Sequence, residues 1–97
     1  MTEQRTAGTF VANRGFSYKI VKPIAVIGGF GDEAKELNLI SFGKRPPKYD
    51  LRSWTTDDNG QPKMLKGITL SKEEAQALRD ALIEELGPQT KAAGLTP

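Results

Sequence analysis

Between Tyr18 and Leu70 apolar residues recur mainly at every second position, and from Ser71 onward they recur at every third or fourth. The first spacing belongs to strands with one buried face and the second to an amphipathic helix. Tyr18, Ile20, Ile24 and Val26 alternate with Lys19 and Val21 in a first strand, where Pro23 predicts an edge position or a bulge. Gly28, Gly29, Gly31 and Asp32 supply turn chemistry, and Leu37 to Phe42 reads as a second strand. Gly43, Pro46 and Pro47 mark the next connection, Lys48 to Thr55 the third strand, and Met64 to Leu70 the fourth. Between the last two, Asp57-Asp58-Asn59-Gly60 predicts a tight hairpin, because Asn-Gly tolerates the positive φ angles such a turn uses.

The change of period coincides with a capping box formed by Ser71 and Glu74. Ala75, Leu78, Leu82 and Leu86 then fall on one stripe flanked by Ala81 and Ile83, and Gly87-Pro88 supplies the stop. Residues 1–15 and 88–97 lack periodicity and are expected to be tails around one domain over residues 16–87. The expected fold is therefore α+β: a four-stranded antiparallel sheet followed by one C-terminal helix (ββββα). One helix covers only one face of a sheet about 19 Å across. The other face is expected to lie open to solvent, a partner subunit or a ligand.

Composition removes most catalytic chemistry from that face. The 97 residues contain neither Cys nor His, so thiol nucleophiles, disulfides, thiolate zinc sites and the commonest general base are all missing. A binding module is expected rather than an enzyme, with no cofactor and no metal. The longest mostly apolar stretch, Ile24 to Phe30, is too short to span a bilayer, and no signal segment is evident, so the expected compartment is the cytoplasm. Net charge is only +2, but it is unevenly spread. Between Lys35 and Lys66 seven basic residues face four acidic ones, a balance of +3, whereas between Ser71 and Leu86 two face five, a balance of −3. A basic sheet opposite an acidic helix gives one surface suited to phosphates, with ordinary solvated charge as the plainer alternative.

Strand parity sharpens the location. Tyr49 and Leu51 share one face of the third strand, while Lys48, Asp50, Arg52 and Trp54 share the other. This sets the single tryptophan among cations, the arrangement by which single-stranded nucleic acid is held: bases stack on rings for about 1–3 kcal/mol each and Lys or Arg neutralise phosphates. A Trp covering the sheet rim or a dimer contact is the alternative. Phe42, directly before Gly43-Lys44-Arg45, is either a second stacking platform or a core residue continuing Ile40. Lys44, Arg45 and Lys48 flank the stiff Pro46-Pro47 loop, which would keep their charges on one rim. Lys63 and Lys66 belong to the last strand; Lys66 shares parity with Met64 and Ile68, so either it snorkels or Gly67 marks a bulge. Ile24 to Gly31 lacks the spacing of a nucleotide-binding glycine loop, Asp57 and Asp58 lack the further ligands of a calcium cage, and Ser71 lacks an activating base.

The segment from Pro47 to Trp54, together with Lys63-Met-Leu-Lys-Gly-Ile-Thr-Leu-Ser-Lys-Glu-Glu74 and Lys35-Glu-Leu-Asn-Leu-Ile-Ser-Phe42, resembles the transcriptional coactivator family called positive cofactor four, and more closely its small bacterial members. The resemblance spans about Tyr18 to Leu86. It implies a curved four-stranded sheet with one helix, paired into a homodimer, whose concave faces bind single-stranded DNA with little sequence preference in transcription regulation or DNA maintenance. By position, Arg52 and Lys66 match basic DNA-contacting residues, and Phe42 with Lys44 matches the aromatic and basic loop after the second strand. Trp54 aligns with one of two adjacent aromatics of the eukaryotic pattern, and the serine-rich regulatory tail of the eukaryotic coactivator has no counterpart. A bacterial member would work at the nucleoid. The expected site is thus Phe42, Lys44, Arg45, Lys48, Arg52, Trp54, Lys63 and Lys66. RNA in place of DNA, or a protein-interaction module contacting the transcription machinery, are the alternatives.

Overall fold

The computed structural model describes residues 7–11 and 17–87. Five strands and a helix follow one another: β1 (Gly8–Val11), β2 (Ser17–Phe30), β3 (Glu33–Phe42), β4 (Lys48–Thr56), β5 (Pro62–Leu70) and α1 (Lys72–Leu86). Each strand pairs antiparallel with its predecessor, so the sheet is a single meander. The expected α+β order holds, but the expected count of four strands is corrected to five. The additional strand is Gly8–Val11, in the stretch read as a tail, paired with Ser17 to Ile20. A four-residue strand bonded on one side carries no periodic signal of its own. Phe10 of β1 stacks on Tyr18 with ring centroids 5.4 Å apart, a tertiary contact that secures it. Apart from Ala7, the rest of the stretches read as tails lies outside the described residues.

β2 also runs further than the glycines suggest, through Gly28 and Gly29, leaving only Gly31 and Asp32 to turn the chain. A side chain on Gly29 would stand 2.2 Å from the backbone oxygen of Glu33, so this glycine serves a close approach of strands rather than a turn. Pairing of β2 with β3 shifts register three times, between Ile20 and Lys22, Pro23 and Ala25, and Val26 and Gly28. Such bulges bend strands and increase their twist. The bending is large: Tyr18 stands opposite Phe42 and Trp54 opposite Ala34, positions about 26 Å apart along a straight β3, yet the Tyr18 and Trp54 rings lie 5.8 Å apart. The sheet curls around its inner face.

That curl encloses a core of Tyr18, Ile20, Ile40 and Trp54, with Phe10, Phe42 and Met64 packed against it. Every strand contributes a side chain. The opposite, outer face presents Leu37, Tyr49, Leu51 and Leu70, and α1 lies across β4 and β5 there. The expected cap is present: Ser71 Oγ accepts from the Glu74 amide at 3.0 Å and Glu74 Oε1 accepts from the Ser71 amide at 2.8 Å. Gly87, with φ of 86°, ends the helix and donates its amide to the Ile83 carbonyl. No residue of the helix is buried.

The hairpin between β4 and β5 lies where Asp57-Asp58-Asn59-Gly60 predicts it, with a different backbone. The Gly60 amide donates to the Asp57 carbonyl, Asp57 Oδ1 accepts from the amides of Asn59 and Gln61, and only Gly60, at φ of 79°, is left-handed. This is a three-residue loop closed by an aspartate side chain, so Asn59 needs no positive φ. Further along β5, Leu65 and Lys66 stand together opposite Ser53, because Arg52 pairs with Gly67 while Trp54 pairs with Met64. The bulge alternative for Gly67 therefore holds, and Lys66 is exposed. A Cβ on Gly67 would fall 1.9 Å from Arg52 Cβ and 2.6 Å from the Leu51 carbonyl oxygen. Gly67→Ala is expected to destabilise the fold by about 1–3 kcal/mol, read as a lowered Tm in thermal unfolding, since backbone and not only a side-chain tip must move. An unchanged Tm would mean that β4 and β5 can separate at Gly67 at little cost.

Candidate functional site

The inner face carries polar residues as well as the core. Glu36, Asn38 and Asp50 are each fully buried. Asn38 and Asp50 face each other across β3 and β4, as do Glu36 and Arg52. Arg52 Nε donates to both oxygens of Asp50 at 2.7 and 2.9 Å, its Nη2 donates to Oδ2, and its Nη1 donates to the Leu65 carbonyl at 3.3 Å. The bulge at Leu65 and Lys66 is what turns that carbonyl toward the guanidinium. A fork of this kind on a buried carboxylate satisfies the charge that the curl removes from water. Arg52 is therefore not a free cation: its side chain is 16% exposed and its charge is directed to Asp50. Its guanidinium carbon also lies 5.8 Å from the centre of the Phe42 ring, which it helps to hold.

Trp54 requires a correction of the same kind. Parity correctly places it on the face of Arg52, but that face is closed, and the ring is 0% exposed. No base can reach it without opening the core. The expectation of an open stacking platform fails because alternation along a strand reports which side a residue takes, not how far the sheet bends toward that side.

The remaining expected residues divide between the ends of the sheet. Phe42 closes β3, Lys44 and Arg45 follow in the turn, and Lys48 opens β4. The turn is braced by Ser41 Oγ donating to the Arg45 carbonyl at 2.6 Å and by the Arg45 amide donating to the Phe42 carbonyl at 3.0 Å. Phe42 is half-buried, tilted against Tyr18 on one side, while Lys44, Arg45 and Lys48 are exposed. Among the described residues no carboxylate pairs with any of these three cations. Phe42, Arg45 and Lys48 line a depression of about 450 Å³ together with Pro46, Pro47, Thr69, Ser71 and Lys72. Lys66 projects from the β5 bulge. Lys63, opposite Thr55, lies about 23 Å along β4 from Lys48 and on the outer face, so the structure separates it from the cluster.

Sequence reasoning overlooked two members of this end of the molecule. Tyr18, read as core, is also the ring that backs Phe42. Lys72, counted with the acidic helix, comes to the same depression as Arg45 and Lys48 because β5 delivers the helix start beside the Pro46-Pro47 loop. Its position directly after the cap was the available signal.

A second feature lies on the outer face. Ile24, Ile27, Leu37, Leu51, Leu78 and Leu82 are among the residues lining an apolar groove of about 600 Å³ between sheet and helix. Ile27 is 58% exposed and Leu82 47%. The amphipathic helix thus leaves much of its apolar stripe in water.

Comparison with known proteins gives two findings. The family model of Transcriptional Coactivator p15 (PC4) matches residues 31–81. An uncharacterized protein of Treponema pallidum (strain Nichols) is 40% identical over 73 residues, which span 74% of this chain and 82% of that protein.

Proposed function

Since the chain belongs to the transcriptional coactivator p15 (PC4) family, known for single-stranded DNA binding and coactivation, we propose that it binds single-stranded DNA with little sequence preference, as a homodimer. The observation that carries the reading is the rim at the β3–β4 turn, where a half-buried ring stands beside three cations that pair with no carboxylate among the described residues. Phe42 offers the stacking surface, and Lys44, Arg45 and Lys48, with Lys66 at the bulge, take phosphates. Duplex DNA is disfavoured because its bases are already stacked and cannot lie on Phe42. Arg52 is a positioning residue in this scheme, since it acts through Phe42 and Asp50. Trp54 holds the curl, and Lys63, on the outer face at the far end of the sheet, lies outside this surface.

The outer face supports the dimer reading. A 15-residue helix with no buried residue gains little from the sheet beneath it, and helices of that length are marginal alone. A second copy presenting the same stripe and groove would cover both apolar surfaces at once through a two-fold axis. Two basic rims would then serve one bound strand.

Replacing Lys44, Arg45 and Lys48 together by glutamine is expected to weaken oligo-dT binding about 100-fold at 0.1 M salt. The slope of log affinity against log salt should fall by about 2, which is the counterion release of three phosphate contacts on a single strand. Fluorescence anisotropy of a labelled oligonucleotide reads both numbers. An unchanged slope would remove the rim from the binding surface.

A further inference from the structure

We infer that the depression beside the β3–β4 turn is a nucleotide pocket in which Lys72, at the start of an otherwise acidic helix, is a phosphate ligand. The inference rests on the single-strand reading above and specifies one of its subsites. The depression holds about 450 Å³, inside the 300–1,000 Å³ range of small-ligand sites. Its lining supplies both halves of a nucleotide's chemistry. Phe42 offers a ring, backed by Tyr18 and by the Arg52 guanidinium, on which a base can stack. Arg45, Lys48 and Lys72 offer three positive charges from three different elements: the turn, the first residue of β4 and the first residue of α1. Pro46 and Pro47 form a stiff wall that fixes the spacing between Arg45 and Lys48.

Charge bookkeeping singles out Lys72. Glu73 and Glu74 adjoin it in sequence, yet Glu74 is turned back onto the Ser71 amide as part of the cap. Among the described residues neither acid forms an ion pair with Lys72. The helix amides are not invoked, because Ser71 already occupies the cap. What remains is an exposed lysine lining a depression that Arg45 and Lys48 line as well, a gathering of positive charge that a phosphate relieves. A strand lying on the rim would then pass from Phe42 toward the helix start, leaving the Lys63 end of the sheet unused.

The test compares Lys72→Gln, Lys72→Arg and Lys19→Gln, an exposed lysine on the outer face of β2, with wild type. Binding of labelled oligo-dT is followed by anisotropy from 0.05 to 0.4 M salt. Lys72→Gln should lose about fivefold in affinity at 0.1 M salt and about 0.7 in the salt slope, the value of one phosphate contact, with Tm unchanged. Lys72→Arg should retain the wild-type slope, and Lys19→Gln should leave it unaltered. Wild-type affinity and slope in Lys72→Gln, while wild type itself binds, would overturn the pocket and leave the single-strand reading standing. Equal losses in Lys72→Gln and Lys19→Gln would also overturn it, because they would reflect total charge rather than a site. Failure of wild type to bind oligo-dT at all would overturn the functional reading and the pocket with it.

Discussion

Trp54→Ala is expected to cost about 3–5 kcal/mol of stability and to leave much of the chain unfolded at 37 °C, whereas Trp54→Phe should fold and bind oligo-dT with nearly wild-type affinity. The reason lies in the curl. The Trp54 ring reaches from β4 to the Tyr18 ring of β2 and packs with Ile20, Ile40 and Met64, so truncation opens a cavity where β2, β4 and β5 converge. A well-packed interior collapses only partly around such a void. Chemical denaturation of the two variants measures the first expectation and anisotropy the second. If Trp54→Ala folded normally and lost only nucleic-acid affinity, the ring would be a stacking platform after all, and the closed inner face would be wrong.

Leu78→Asp combined with Leu82→Asp is expected to convert the proposed dimer into a 10.6 kDa monomer. Each leucine still has about half its surface to bury, worth about 1 kcal/mol, and a two-fold axis counts each one twice. Four such contributions give about 4 kcal/mol, roughly a thousandfold in the dimer dissociation constant, before the repulsion of the added carboxylates. Sedimentation equilibrium reads the change directly. The wild-type Tm should rise with protein concentration and that of the variant should not. A wild-type protein that sediments as a monomer at all concentrations would show that something other than a second copy covers the groove.

What the sequence made legible was local. The capped helix, the hairpin at Asp57 to Gly60 and the side of β4 taken by each residue follow from spacing and turn chemistry, and the structure bears them out; of the two alternatives at Lys66, snorkelling or a bulge, it selects the bulge. What it left obscure was global. Phe10 and its strand are held by a ring contact with Tyr18, and no periodicity inside four residues can announce that. Asp50 and Arg52 look like surface charge in a strand pattern, yet the curl closes over the face of β4 on which they pair and makes Asp50 one of the most buried residues. The same curl moved Trp54 from surface to core. Lys72 passed unnoticed because charge was summed along the helix, while the structure assembles it with the turn at residues 42–48. For β4, parity was right and curvature supplied what was missing.

The central claim is that the rim at Phe42 receives single strands. Its most direct test is the affinity of the wild-type protein for labelled oligo-dT and for a duplex of the same length, measured by anisotropy at 0.05 and 0.2 M salt. The account predicts tighter binding of the single strand at both concentrations, weakening steeply with salt, and loss of much of that preference in Phe42→Ala, whose missing stack is worth about 1–3 kcal/mol. Preference for duplex, or a single-strand affinity indifferent to salt and to Phe42, would contradict it.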